Sequence, residues 1–564
     1  MLTSSVFKRS ALFIAILCLV VGMSIRISGQ SPQHPKFIFP RENPVITEKF
    51  KQHVAKLNPQ EKVKVWVFFT DKGFHDLEGY HSAVTQTEKN LTSRAAWRRS
   101  KTMKQGLIDF HDLPVNQAYV DRILNFQAKF RQRSRWLNAA SFKIPVGELE
   151  KISHLSFVRS IKPVLGGKRK PIKIEVPPEA PLQGKGLFDL NYGASYSQLQ
   201  QLNIPAVHNL GYYGQGVIVC MLDTGYRKDH QAFQLADSED RVLAEWDFIN
   251  NDGNTQNEPG DSSDQHNHGT YTWSTLGGAA DGNLYGPAYG AYFILAKTED
   301  ISMEEPIEED NWVAGMEWAD SIGADVISSS LAYMDWYTYP DLDGNTAVTT
   351  IAADIAAQRG IVVCNAMANA GPGSGTLHAP ADADSIIACG AVYSDGEIAY
   401  FSSRGPTYDG RIKPEVCARG VSTRCADPKD GYTYVSGTSL STPLIGGAAA
   451  VILSAHPDWT PMQVREAMLE SGDNSSSPDN TYGWGIPDIL AAIQYSFYLT
   501  GDVTGDEEIN IADVVYLINY LYKDGPVPSP LFLGDVNCDS EVDISDVIYL
   551  INYLYRDGSE PCSH

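Results

Sequence analysis

Positive charge is scarce in this sequence. Lys and Arg number 45 against 68 Asp and Glu, a formal net charge of −23. Phosphate recognition needs clustered Lys and Arg, so nucleic-acid binding is not expected. An acidic balance instead suits a soluble chain that can hold divalent cations. Cysteine is scarce too, with eight in 564 residues, too few for a fold held together by disulfides. Cys220, Cys364 and Cys389 sit in apolar runs (VIVCML, IVVCNA, SIIACGAV) and read as small buried hydrophobes. Cys417 with Cys425, and Cys538 with Cys562, are near enough in sequence to pair, although spacing alone does not fix connectivity. Long apolar runs are also rare. One run, Ala11 to about Ile25, follows Lys8 and Arg9 and precedes small, polar residues at Ser28 and Gly29. That is the pattern of a secretory signal peptide, and the run is short for a membrane span of about 20 residues. Export, with no membrane span after signal removal, is the expectation, with a signal anchor as the alternative.

What is present divides into three regions after the signal (1–29). Residues 30–185 are rich in Lys and Arg. They hold the strand-like run Val63–Phe69, charged helical stretches, and a strand–short helix–strand pattern over Ala139–Val164. The basic stretch Gly166–Lys173 reads as an exposed linker. Residues 186–497 alternate apolar strand runs (GVIVCMLDTG, GAYFILAKT, ADVISSSLAY, GIVVCNAMAN, DSIIACGAV) with helices such as Trp312–Ser321 and Thr350–Arg359. This alternation predicts a parallel sheet covered on both faces, with reactive groups at the carboxyl ends of strands. In residues 498–564, Gly501–Gly525 recurs thirty-three residues later as Gly534–Gly558.

Three segments of the middle region carry chemistry. Asp223-Thr224-Gly225 follows an apolar strand, His268-Gly269-Thr270 lies in a polar stretch, and Gly437 to Pro443 (GTSLSTP) precedes the apolar run LIGGAAAVIL. A serine hydroxyl is a weak nucleophile and needs an adjacent base. A histidine can take its proton and return it to a leaving amine. A buried aspartate fixes the imidazole tautomer and stabilises its charged form. Asp, His, Ser is one of the known chain orders for this geometry. Alone, each segment reads as a turn, a loop or a helix N-cap; together and in order they point to a nucleophilic serine. His266 competes with His268, and the loop Asp261–His268 reads as a solvated polar loop rather than a metal site.

At this point the sequence resembles the subtilisin-like serine proteases, the subtilases, over about Tyr192 to Ile493. The segments VIVCMLDTG, NHGT, ADVISSSLAY, VVCNAMANAG, SSRGP, KPEV, VSGTSLSTPLIGGAAAVIL and YGWGIPDILAAI fall in that family's order. The resemblance implies Asp223 as orienting acid, His268 as general base, Ser439 as nucleophile and Asn369 as oxyanion donor. It also implies that Ser330, Leu331 and Ala332, with Ala366, Met367 and Ala368, flank the substrate backbone and line the first specificity pocket, where an extended peptide binds by strand addition. Protein or peptide substrates follow. The chain departs from the family at several places. Tyr271 replaces a histidine, Ala368 and Ala332 replace glycines, Arg419 replaces a proline, and Ala232 stands where some members place a calcium ligand, so the resemblance assigns no calcium site there. The tail of the first region is similar to the end of a subtilase prosegment, which implies a ferredoxin-like α+β domain that assists folding and blocks the cleft until removed; an unrelated α+β domain is the alternative.

The C-terminal repeat places oxygen-bearing side chains at loop positions one, three, five and twelve. These are Asp502, Thr504, Asp506 and Asp513 in copy one, and Asp535, Asn537, Asp539 and Asp546 in copy two. The carbonyls of Glu508 and Glu541 serve at position seven. Clustered carboxylates repel, and a hard cation with six to eight oxygens relieves that. The paired loop–helix pattern resembles the dockerin type I module, which implies calcium, an EF-hand-like all-α module, and a cohesin-like or cell-surface partner. Position six is Glu507 or Ser540 rather than glycine. The fold class expected for the whole is therefore α/β: a subtilisin-like parallel sheet flanked by helices, with an α+β prodomain and the small module. The competing reading is a non-catalytic surface or scaffold-binding protein that uses the C-terminal module alone.

Overall fold

The computed structural model describes residues 38–164, 190–301, 309–495 and 499–562, apart from positions 75, 335, 507 and 557. The expected signal segment, the stretch Gly166–Lys173 and Glu507 lie outside the described residues. The chain forms two compact units, one spanning Pro35–Tyr495 and the other including Ser496–His564.

The first unit begins with an antiparallel sheet of β1 (Lys62–Phe69), β2 (Lys129–Ser134), β3 (Ala139–Pro145) and β4 (Val158–Pro163), in the order β2-β3-β1-β4. Successive side chains of a strand point to opposite faces, and β1 uses both. Val65, Val67 and Phe69 join Phe142, Ile144 and Ile161 beneath the short helices Glu48–Val54, Gln117–Leu124 and Leu149–Ser153. Trp66 and Phe68 point the other way, into a core shared with the second region. That second use explains why VKVWVFF is apolar almost throughout rather than alternating.

The second region is a seven-stranded sheet of β5 (Ile218–Asp223), β6 (Val242–Asp247), β7 (Tyr292–Lys297), β8 (Val326–Ser329), β9 (Val362–Ala366), β10 (Ile387–Val392) and β11 (Val416–Arg419). The order is β11-β10-β9-β8-β5-β7-β6, and every pairing is parallel. The order reverses beside β5, the kind of switch point where crevices open at the strand ends. Cys220 and Leu222 of β5 face α3 (Glu309–Ile322) and α4 (Val348–Gln358), which pack on the same sheet face. Asp223 shares its face with Val219 and Met221, and so meets the opposite helix layer, α2 (Asn267–Gly277) and α5 (Thr438–Ala455). Helix α5 is the one helix among the described residues long and apolar enough to cross a membrane. It is apolar all round because it is the buried core helix, 89% enclosed.

The N-terminal sheet docks on α3 and α4 through Trp66, Phe68, Trp136 and Leu137 against Trp312 and Met316. Arginines surround this apolar contact. Arg98 and Arg99 of α1 (Ser93–Ser100) both pair with Asp320 of α3, and Arg135 reaches the same carboxylate at 3.0 Å. Arg131 pairs with Asp310 at 2.7 Å, and in the reverse sense Arg359 pairs with Asp109 and Asp112. Burial alone would raise the Asp320 carboxyl, but Arg98, Arg99 and Arg135 outweigh it and hold it below the usual range.

Five cysteines, Cys220, Cys364, Cys389, Cys417 and Cys425, are free and buried. The pairing of Cys417 with Cys425 is thus not made: Cys417 lies in β11 and Cys425 in a separate hairpin strand, Thr423–Ala426.

The C-terminal unit contains α6 (Ile511–Tyr522) and α7 (Ile544–Tyr555). Each is opened by a reciprocal cap, Asn510 with Asp513 and Asp543 with Asp546. Val514, Leu517, Val547 and Leu550 form their shared core with Val503, Leu533 and Val536. Cys538 and Cys562 are joined as a disulfide, tying the C-terminal tail to the second loop.

Candidate active site

Asp223 ends β5 and is 1% exposed. A carboxylate so buried needs donors, and the surrounding elements supply them. His268 Nδ1 lies 2.7 Å from Oδ1 and 2.9 Å from Oδ2. The Thr224 N–H donates to Oδ1 at 2.7 Å, and the Thr272 hydroxyl lies 3.0 Å from Oδ2. His268 is the second residue of α2, half-buried, so one ring nitrogen faces the acid while the ring edge reaches the cleft. His266 has a different partner: its Nδ1 accepts from the Asn257 N–H at 3.4 Å, and its carbonyl accepts from Thr270. Burial first, then nearby Arg227, pulls its pKa down. The loop before it is organised by protein groups. Lys297, fully buried, bridges Asp247 and Asp261 at 2.8 Å each.

Ser439 is the second residue of α5. The first backbone N–H groups of a helix have no partner within it, so this serine sits among outward-facing donors. Its hydroxyl lies 3.4 Å from the Ser330 carbonyl. Pro443 has no N–H to return to the carbonyl four residues earlier. The Ser439 carbonyl instead accepts from the Ser330 hydroxyl at 2.9 Å, which ties the head of α5 to the end of β8. Glycines let α5 come close: a Cβ on Gly446 would meet Ser328 at 3.0 Å.

Asn369 is three residues past β9 and exposed. Its Oδ1 accepts from the Thr438 N–H at 2.9 Å and the Thr438 hydroxyl at 3.0 Å. A backbone N–H can only donate, so Oδ1 faces it, and Nδ2 is the amide's remaining donor beside the head of α5. The residue before it, Ala368, has φ of 86°, a left-handed conformation that favours glycine. It is held there from both sides. The Ala368 carbonyl accepts from the Ser403 N–H at 3.1 Å, and the Ser403 hydroxyl accepts from the Ala370 N–H at 3.0 Å. Strain of this kind persists where surrounding structure over-determines it.

The residues expected to flank substrate fall in two strand extensions. Ser330, Leu331 and Ala332 follow β8; Leu331 is buried in the core, and its carbonyl accepts from the Asn365 amide at 3.0 Å. Ala366 ends β9. Met367 is fully buried, with its N–H on Cys389 and its carbonyl on the His378 N–H. Ala332 is half-buried, and Ala368 is buried.

In the C-terminal unit, carboxylate oxygens of Asp502, Asp506 and Asp513 lie within 4.8 Å of one another. Asp502 Oδ1 accepts from the N–H groups of Gly505 and Asp506, which curls the loop around it, and Thr504 sits between Asp502 and Asp513. Copy two repeats the turn: Asp535 accepts from Asp539 and Ser540, and Asn537 from Asp539. The N–H groups of Glu508 and Glu541 donate to Asp506 and Asp539 at 3.1 and 3.0 Å, an equivalent placement of position seven. Ser540, at position six of copy two, has φ of 72°, which is where a glycine would be unstrained. Burial, with Asp535 adding to it, pushes the Asp546 carboxyl above its ordinary range. Asp502, Asp506 and Asp513 are three like charges close enough to repel, which a hard cation would relieve.

The sequence motifs missed Thr272 and Thr438. Thr272 lies four residues after His268 on one helix, and that spacing was the available signal. Nothing local marked Arg98 and Arg99 as buried, because their partner is more than two hundred residues away.

Residues 214–485 match the model of the Subtilase family, 64–174 the Peptidase S8 propeptide domain, Bacteroidota, and 500–558 the Dockerin type I domain. Subtilisin E from Bacillus subtilis is 33% identical over 300 residues, covering 52% of this chain and 70% of that protein. Subtilisin from Bacillus pumilus is also 33% identical over 300 residues, covering 98% of its own length. Among solved structures, fervidolysin from Fervidobacterium pennivorans, a keratinolytic enzyme related to subtilisin, matches with a TM-score of 0.55 at 19% identity. That match covers 82% of this chain but 64% of the other, just under two thirds of its length, and it speaks for the fold. With a third of positions identical across nearly the whole Bacillus pumilus protein, the chain belongs to the subtilase family of serine endopeptidases, and it carries an S8 propeptide domain ahead of the peptidase domain and a dockerin type I domain behind it.

Proposed function

We propose that the chain hydrolyses peptide bonds through an acyl-enzyme at Ser439. His268 takes the serine proton as general base and returns it to the leaving amine, and Asp223 orients the imidazole and stabilises its charged form. The Asn369 Nδ2 and the Ser439 N–H donate to the oxyanion. The peptide lies extended against Ser330–Ala332, and Ala366–Ala368 form the wall of the first pocket. The observation that carries this reading is the Asp223–His268 pair at 2.7 Å, with His268 on a helix packed against the one whose second residue is Ser439.

The domain reading that accompanies it is a signal (1–29), a prosegment (30–185), a peptidase domain (186–497) and a calcium module (498–564). Export and release of the prosegment precede activity. In the module, Asp502, Thr504, Asp506, Asp513 and the Glu508 carbonyl hold one calcium ion. Asp535, Asn537, Asp539, Asp546 and the Glu541 carbonyl hold the other. Calcium there neutralises the gathered carboxylates and fixes the loops that start α6 and α7. The module then attaches the enzyme to a cohesin-like or cell-surface partner. Casein hydrolysis by the purified, matured Ser439→Ala variant tests the central step. The reading expects a loss of roughly 10⁶ in turnover; the native rate would refute it in favour of a non-catalytic binding protein.

A further inference from the structure

Thr272 stands one helical turn beyond His268 on α2, on the same face. It is fully buried. Its hydroxyl lies 3.0 Å from Asp223 Oδ2 and 3.1 Å from the Gly269 carbonyl. One hydroxyl has one proton. The Gly269 carbonyl lies within α2 and can accept from the helix ladder. A carboxylate that has lost its proton can only accept, and such an acceptor binds a hydroxyl more strongly than a neutral carbonyl does. The proton therefore belongs to Asp223.

We propose that Thr272 is a positioning residue for the catalytic acid: its hydroxyl fixes the Asp223 carboxylate in the plane that meets the His268 ring and takes up part of its charge. The proposal rests on the assignment of Asp223 and His268 above. The Thr224 N–H holds Oδ1 from the strand side, and Thr272 holds Oδ2 from the helix side. Rotation of the carboxylate about its Cβ–Cγ bond would break one of these bonds. Charge donated to Thr272 is charge withdrawn from the imidazolium, so the hydroxyl keeps His268 unprotonated to lower pH.

Other charged and titratable groups on the surrounding elements set the background. Lys297 ends β7, and its ammonium is taken by Asp247 and Asp261. Glu299 follows it and accepts from the Tyr333 hydroxyl. Arg227, after β5, pairs with Asp229 and Asp430. His266 and Tyr271 lie at the start of α2, and Cys425 and Asp427 on the adjoining hairpin. A change at Thr272 leaves all of them in place.

The test is kcat/KM against pH on a chromogenic peptide, with the full chain after maturation. In Thr272→Val the acid limb should move up by about half a pH unit, the equivalent of part of one hydrogen bond, and kcat should fall several-fold with KM unchanged. Thr272→Ser should keep the native acid limb. A hydroxyl that only bonds back to Gly269 would leave the limb unmoved in Thr272→Val, and that result overturns the proposal, as does a shift in Thr272→Ser equal to that in Thr272→Val. Should the valine variant not mature, Thr272→Ala is compared with Thr272→Ser and read the same way. Ser439→Ala, run alongside, separates the two failures. Activity without Ser439 sinks the triad, whereas an unmoved limb with Ser439-dependent activity sinks only the role of Thr272.

Discussion

The peptidase unit and the C-terminal unit both bury carboxylates, and they treat them in opposite ways. Asp223 receives an imidazole, a backbone N–H and a hydroxyl from its own chain. Asp320 receives three arginines from the propeptide domain. Asp502, Asp506 and Asp513 are instead gathered together, with carboxylate oxygens within 4.8 Å of one another. The first arrangement is complete within the chain, and the second leaves like charges side by side, which an added cation would relieve. On the function proposed above, each unit depends on something different: the peptidase on whether its propeptide domain is present, the C-terminal module on calcium.

The largest expected effect breaks the first arrangement. Asp320→Asn leaves the buried Arg98 and Arg99, and the half-buried Arg135, without their common charge, which for a buried pair costs about 3–5 kcal/mol. Inhibition of the mature enzyme by separately added propeptide domain should weaken by at least two orders of magnitude. The pH dependence has a definite sign. Asp320 and Asp112 are held below the ordinary carboxylate range by their arginines, against burial, which acts the other way. Their contribution is present above the ordinary carboxylate pKa and is lost only as pH falls through the lowered values. The native complex should therefore survive mild acid near pH 5, as size-exclusion chromatography would show.

Asn369→Ala comes next. It removes a donor that the peptidase unit supplies from its own chain, and should lower kcat by about 10²–10³ while costing about 1 kcal/mol of stability through the lost Thr438 bonds. Calcium chelation follows and addresses the second arrangement. Calorimetry of the full chain should show the transition of the C-terminal unit lowered, by about 3 kcal/mol if calcium had been present at a hundred times its dissociation constant. Casein hydrolysis should persist. Equal loss from both units would erase the contrast. The smallest effect is Ala368→Gly. Relief of the left-handed backbone should raise stability by about 1 kcal/mol, offset in part by glycine's extra freedom in the unfolded chain.

Much of this was legible in the sequence where meaning is local. Asp223 followed a strand, Ser439 opened an apolar helix, and both are where those patterns placed them. Ala368 was recognisable as an unusual residue, but only its φ shows why the position favours glycine. Thr272 was not legible, because a threonine inside a helix acquires meaning only from the strand end it touches. Arg98 and Arg99 lie in what reads as a charged helical stretch, and nothing there shows that they are buried, since Asp320 arrives from far along the chain. Cys417 and Cys425 were near in sequence yet occupy different sheets, whereas Cys538 and Cys562 meet because the tail folds back on the second loop.

The most direct test of the central claim is labelling of the matured protein with a fluorophosphonate probe, followed by peptide mapping. An activated serine should carry one adduct per molecule, on Ser439, and labelling should vanish when His268 is replaced by alanine. An unlabelled protein, or an adduct on another serine, would contradict the account.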